Sequence, residues 1–84
     1  MSETIRVRTL FFGIYGELAE TREGDAELPG GSTVGDLVGV LRDSRGLDWI
    51  PERVVVAVNQ TYAEQATALA DGDEVALIPP VAGG

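Results

Sequence analysis

The chain has 84 residues, 44% of them hydrophobic and 24% charged, which fits one domain near the lower size limit for a core without disulfides or metals. Fourteen Asp and Glu against six Arg, with no Lys, give a formal charge of −8; this disfavours nucleic acid and anionic membranes and favours a protein partner with a basic surface. With neither Cys nor His, disulfides, thiolate metal sites and the usual proton shuttle near neutral pH are excluded.

Thr4 to Phe12 (TIRVRTLFF) opens with Ile5 and Val7 alternating with Arg6 and Arg8, which predicts a strand with one buried face. Leu10 and Phe12 fall on the phase of the two arginines, so either a bulge re-phases them or that end of the strand meets a partner. No basic stretch followed by an apolar segment precedes this strand, and a cytoplasmic location is the expectation. Gly13 to Thr21 predicts a short helix, whose GIYG start has the spacing of a nucleic-acid GxxG loop but lacks basic neighbours. Ala26 to Pro29 predicts a short strand running into the turn PGGS.

The helix that follows has the clearest signature. Thr33 and Asp36 have capping-box spacing, Val34, Leu37, Val38 and Leu41 repeat at helical intervals, and Arg42 and Arg45 are expected in the last turn before Gly46. Gly35 and Gly39 inside it each weaken a helix by about 1 kcal/mol relative to Ala in an exposed position, which suggests either close packing on a sheet or simple tolerance. Arg53 to Val58 predicts a β-branched strand and Asn59-Gln60 a turn, with a short return segment after it. Asp71-Gly72 predicts a turn into a last strand, Glu74 to Ile78, with Val75 and Leu77 on one face and Ala76 and Ile78 on the other. The carboxylates of DGDE fall short of a calcium loop and are read as turn residues, with no metal site assigned. The elements form an α+β pattern, a mixed sheet packed on one main helix.

No nucleophile stands beside a base in a pattern that supports catalysis, so the chain is not expected to be an enzyme alone. The chemistry points instead to the C-terminal IPPVAGG. Pro79 and Pro80 have no amide donor and end ladder pairing, and residues 79–84 reach about 20 Å past the strand. Gly83 and Gly84 are slender enough to thread a narrow channel. A bare Gly84 carboxylate is unreactive, but a second enzyme could convert it with ATP into an acyl-adenylate that accepts sulfur or an amine. The competing reading is a frayed tail. The Pro-Pro pair and the small-residue tail after a strand favour the functional one.

LADGDEVALIPPVAGG (Leu69 to Gly84), with VNQ (Val58 to Gln60) and LFF (Leu10 to Phe12), closely resembles the small subunits of molybdopterin synthase. The resemblance implies a β-grasp, ubiquitin-like domain over residues 1–78 and an extended tail over 79–84. It also implies a sulfur carrier. An ATP-dependent activating enzyme would adenylate Gly84 and a sulfur donor would make it a thiocarboxylate. The large synthase subunit would accept the tail, in a heterotetramer, and pass the sulfur to a cyclic pyranopterin. No cofactor is implied in the fold itself, since ATP is consumed by the activating enzyme. The implied partner contacts are Ile78, where the family often has an aromatic residue, Pro79, Pro80, Val81, Ala82 and Tyr62; Leu10 and Phe12 join them from their strand phase. Two alternatives remain open: a carrier of the same fold serving thiamine or transfer-RNA thiolation, and a protein modifier attached through Gly84 to lysines of other proteins.

Overall fold

A computed structural model describes residues 3–80. Seven elements follow one another: β1 (Thr4–Phe11), α1 (Ile14–Ala19), β2 (Glu23–Pro29), α2 (Val34–Asp43), β3 (Val55–Val58), β4 (Thr61–Ala63) and β5 (Glu74–Ile78). The five strands make one mixed sheet in the order β2-β1-β5-β3-β4, with β1 and β5 parallel in the centre and the other pairs antiparallel. No helix among the described residues is long and apolar enough to cross a membrane.

The core lies between one face of this sheet and α2. Val7, Phe11, Ala26, Leu28, Val56, Val75 and Leu77 from the strands meet Val34, Leu37, Val38 and Leu41, the four helix positions read from the sequence. Ile50 joins the core, and Trp49 and Leu47 pack against it, from a segment to which sequence periodicity assigned no element. Trp49 meets the buried Tyr15 of α1 with ring centroids 5.2 Å apart, which holds the short helix on the domain.

α2 begins where the sequence predicts. Asp36 N donates to Thr33 Oγ1 (3.2 Å) and Thr33 N donates to Asp36 Oδ2 (2.9 Å), completing the capping box. Val34 N and Gly35 N donate to the carbonyls of Thr67 and Gln65, both at 2.9 Å, so the first-turn amides are satisfied by a loop crossing the helix end. Sheet packing does not account for the two helical glycines, and Gly39 is simply tolerated. A Cβ at Gly35 would lie 3.4 Å from the Gln65 carbonyl oxygen, whereas one at Gly39 would meet no atom within 4 Å; neither packs on the sheet. The helix stops at Asp43, so Arg45 falls outside the last turn and its guanidinium donates to the Asp25 carbonyl at 2.7 Å.

Two strand limits also differ from expectation. β2 starts at Glu23 rather than Ala26, because Glu23, Asp25 and Glu27 alternate with Gly24, Ala26 and Leu28 and ride the solvent face beside Arg6 and Arg8. β3 starts at Val55 rather than Arg53. Its ladder to β5 ends at the pair Val55 and Ile78; Val54 would face Pro79 in a non-hydrogen-bonded pair, and the next position to donate toward Arg53 is Pro80, which has no N–H.

Candidate functional site

With α2 on one face, the register decides what the other face presents. Pairing of β1 with β2 runs without a slip from Thr4 opposite Pro29 to Leu10 opposite Glu23, so no bulge re-phases the end of β1. Thr9 therefore turns into the core, where its hydroxyl donates to the Gly24 carbonyl at 3.0 Å, and Leu10 stays on the open face. Leu10 is opposite Ala76, Ala76 opposite Ala57, and Ala57 opposite Tyr62, forming a row across four strands. Ile78 and Val55 pair in the adjacent row, and Phe12 lies just past the end of β1.

Small residues in the middle of the row and large ones at its ends make a depression of 410 Å³ lined by Leu10, Phe12, Ala57, Gln60, Tyr62, Glu74, Ala76 and Ile78. Ala57 and Ala76 form its buried floor, while Tyr62 is 76% exposed, Phe12 47% and Val55 46%. Four residues singled out in the sequence, Leu10, Phe12, Tyr62 and Ile78, thus come together on one surface. Sequence reasoning passed over Val55, Ala57 and Ala76. Their signal was available: VVVAV and VALI are apolar on both strand phases, while one main helix can cover only one face of a sheet.

The rest of the open face is charged. Arg8 reaches both carboxylate oxygens of Glu23 at 2.9 Å, and Arg6 reaches Glu27 at 3.2 Å. The Glu23 hydrogen bond raises the pKa of Arg8 above the ordinary arginine range, so this guanidinium stays ionised. Both arginines are neutralised by their neighbours, and Glu74 adds an acidic rim to the apolar depression.

The strand that leads to the tail is anchored at its start by the two turn motifs. Asn59 and Gln60 both adopt positive φ (51° and 72°), which closes the β3-β4 hairpin in two residues. The Asn59 side chain donates to Asp73 Oδ1 (2.9 Å) and accepts from Glu74 N (3.0 Å). Asp71 Oδ1 accepts from Arg6 N and Gly72 N donates to Arg6 O, both at 2.8 Å, tying the same turn to β1. The Asp71 and Asp73 carboxylates of DGDE are therefore engaged by main chain and by Asn59. Downstream, the β5 ladder stops at Ile78, Pro79 is half-buried against Gly13, and Pro80 is exposed. Val81, Ala82, Gly83 and Gly84 lie outside the described residues.

Comparison with known proteins matches this arrangement. The ThiS family model covers residues 9–84. A molybdopterin synthase sulfur carrier subunit of Mycobacterium tuberculosis is 46% identical over 83 residues, spanning 95% of this chain and 99% of that one. One from Chlamydomonas reinhardtii is 36% identical, covering 95% and 100%. Among solved structures, SAMP1 from Haloferax volcanii superposes with a TM-score of 0.82 at 28% identity, covering 94% of this chain and 99% of that one. A complex of subunits 1 and 2 of molybdopterin-converting factor from Helicobacter pylori contains a chain with a TM-score of 0.68 at 26% identity, covering 95% and 100%. The chain belongs to the ThiS family, with a β-grasp fold and relatives that are molybdopterin synthase sulfur carrier subunits.

Proposed function

We propose that this chain is the sulfur carrier subunit of a molybdopterin synthase. The open sheet face docks on a large partner subunit and the Gly84 carboxylate carries the sulfur. The observation that supports the reading most is the gathering of Leu10, Tyr62, Ile78 and Phe12 around an alanine floor on the strand that leads into Pro79-Pro80. An apolar patch with an acidic rim suits a partner that brings both an apolar surface and cations to face Glu74.

In the proposed cycle, an activating enzyme joins the Gly84 carboxylate to AMP with release of pyrophosphate. Sulfide-level sulfur from a donor then attacks the acyl carbon, AMP leaves, and a thiocarboxylate remains, whose sulfur is a better nucleophile than carboxylate oxygen. Docked on the large subunit, the thiocarboxylate sulfur takes the place of an oxygen substituent on a carbon of the cyclic pyranopterin, and water cleaves the resulting thioester, which leaves the sulfur on the pterin and returns Gly84 as a carboxylate. Two carriers used in succession supply the two sulfurs, and a heterotetramer gives each large subunit its own carrier. The carrier contributes positioning and a main-chain reacting group; the catalytic side chains belong to its partners.

Reconstitution tests this reading. Thiocarboxylated protein mixed with the large subunit and cyclic pyranopterin should yield molybdopterin, and deletion of Gly84 should abolish the yield. Synthesis by the truncated chain would refute it. A second reading, a protein modifier, is favoured by the structural likeness to SAMP1 of Haloferax volcanii. It shares the acyl-adenylate and differs in the acceptor, so Gly84 found in isopeptide linkage to lysines of other proteins would support it.

A further inference from the structure

We infer that Gly13 is a positioning residue for the C-terminal tail: its bare Cα is the seat on which the Pro79 ring rests. Gly13 lies at the junction of β1 and α1 with φ 55° and ψ −132°, a backbone region in practice reserved for glycine. A Cβ built there would be 3.2 Å from Pro79 Cγ, closer than the roughly 3.5–4.0 Å at which carbon atoms attract.

The seat is held from both sides. Phe12 N donates to Leu77 O at 3.3 Å, which fixes the end of β1 to β5 two residues before Pro79. Tyr15 N donates to Phe12 O (3.0 Å) and Gly16 N to Gly13 O (3.1 Å), closing the turn into α1, and the Tyr15 ring against Trp49 holds that helix in place. Gly13 therefore cannot yield easily, and a side chain on it must displace the proline. The ladder of β5 has already ended at Ile78, so this contact acts where the sheet no longer guides the chain. Proline has a fixed φ, and the seat of its ring sets the line along which Pro80 and the residues after it leave. A Cβ on Gly13 requires the ring to give by a few tenths of an ångström at the root of the tail, and misplacement by 1 Å can slow a reaction about 100-fold.

This inference rests on the carrier function proposed above and predicts a separation of docking from transfer. Thiocarboxylated Gly13→Ala protein should bind the large subunit with a Kd within about threefold of wild type, because Leu10, Tyr62, Ile78 and the alanine floor keep their places in the sheet. Its single-turnover rate of sulfur transfer in the preformed complex should fall at least about tenfold. Gly72→Ala is the control. Gly72 also has positive φ (87°) with no atom near a built Cβ, and it lies across β5, roughly 20 Å from Pro79; that variant should transfer at the wild-type rate.

Pro79→Ala removes the ring, so adding Gly13→Ala to it should slow transfer no further. Trp49 fluorescence verifies that each variant is folded. If Gly13→Ala does not fold, Pro79→Ala alone decides, with at least about a tenfold slower transfer expected from loss of the seated ring. Wild-type transfer by Gly13→Ala, full additivity with Pro79→Ala, an equal loss in Gly72→Ala, or undiminished transfer by Pro79→Ala where it decides alone would each overturn the inference. Failure of the wild-type protein to transfer sulfur at all would instead sink the carrier reading.

Discussion

Tyr62 offers the sharpest separation of folding from docking. It lies on the edge strand β4 opposite Ala57 and outside the core cluster, with 76% of its surface open. A tyrosine buries roughly 200 Å² when fully covered, so closing the exposed part removes about 150 Å² from water, on the order of 3–4 kcal/mol at about 25 cal/mol/Å². Alanine retains part of the contact, and ordering the interface offsets some of the gain. Tyr62→Ala should therefore weaken binding to the large subunit by about 2 kcal/mol, roughly 30-fold in Kd. Stability of the isolated chain should change by less than about 1 kcal/mol, the span of strand propensity at an exposed site. Titration calorimetry with the large subunit and urea unfolding of the free chain read the two quantities, and Tyr62→Phe should leave both nearly unchanged. A Kd within twofold of wild type would refute the placement of this face in the interface. A large stability loss with little change in affinity would show that the ring serves the fold.

Other substitutions test the fold that supports this surface. Gly39→Ala should stabilise the chain by about 0.5–1 kcal/mol in urea unfolding, since its Cβ meets open space, while Gly35→Ala, 3.4 Å from the Gln65 carbonyl, should gain less or lose. Leu37→Ala, at a fully buried position in α2, should lower stability by about 2–5 kcal/mol, and a smaller loss would show that the site collapses around the missing atoms. Asn59→Gly keeps the positive φ but removes both side-chain bonds to the β5 turn; a loss of about 1–3 kcal/mol is expected, and an unchanged midpoint would mean that the backbone turn alone secures the strand.

Much of the fold is visible in local patterns. The capping box of Thr33 and Asp36, the apolar spacing of α2 and the limits of β5 follow from short-range chemistry, and the structure reproduces them. What escaped was decided by pairing across the sheet. Glu23 and Asp25 look like loop residues until Arg6 and Arg8 come alongside, and Arg53 falls outside its strand because the position that would donate to it is Pro80. Leu47 to Ile50 has no periodicity, yet Ile50 enters the core and Trp49 meets Tyr15. At the candidate site, Leu10 and Phe12 were legible as apolar residues out of phase. Their convergence with Tyr62 and Ile78 depends on the strand order, which no single segment encodes. Gly13 shows the same limit. Its sequence neighbours mark a helix start, but its proximity to Pro79 joins residues 66 positions apart and follows from the parallel pairing of β1 with β5.

The most direct test of the carrier chemistry is the mass of the C-terminal fragment after co-expression with the activating enzyme and a sulfur donor. Exchange of one oxygen for one sulfur, localised to Gly84 and lost after incubation with the large subunit and cyclic pyranopterin, is the expected result. An unmodified Gly84 in protein that still supports molybdopterin synthesis would contradict the thiocarboxylate mechanism.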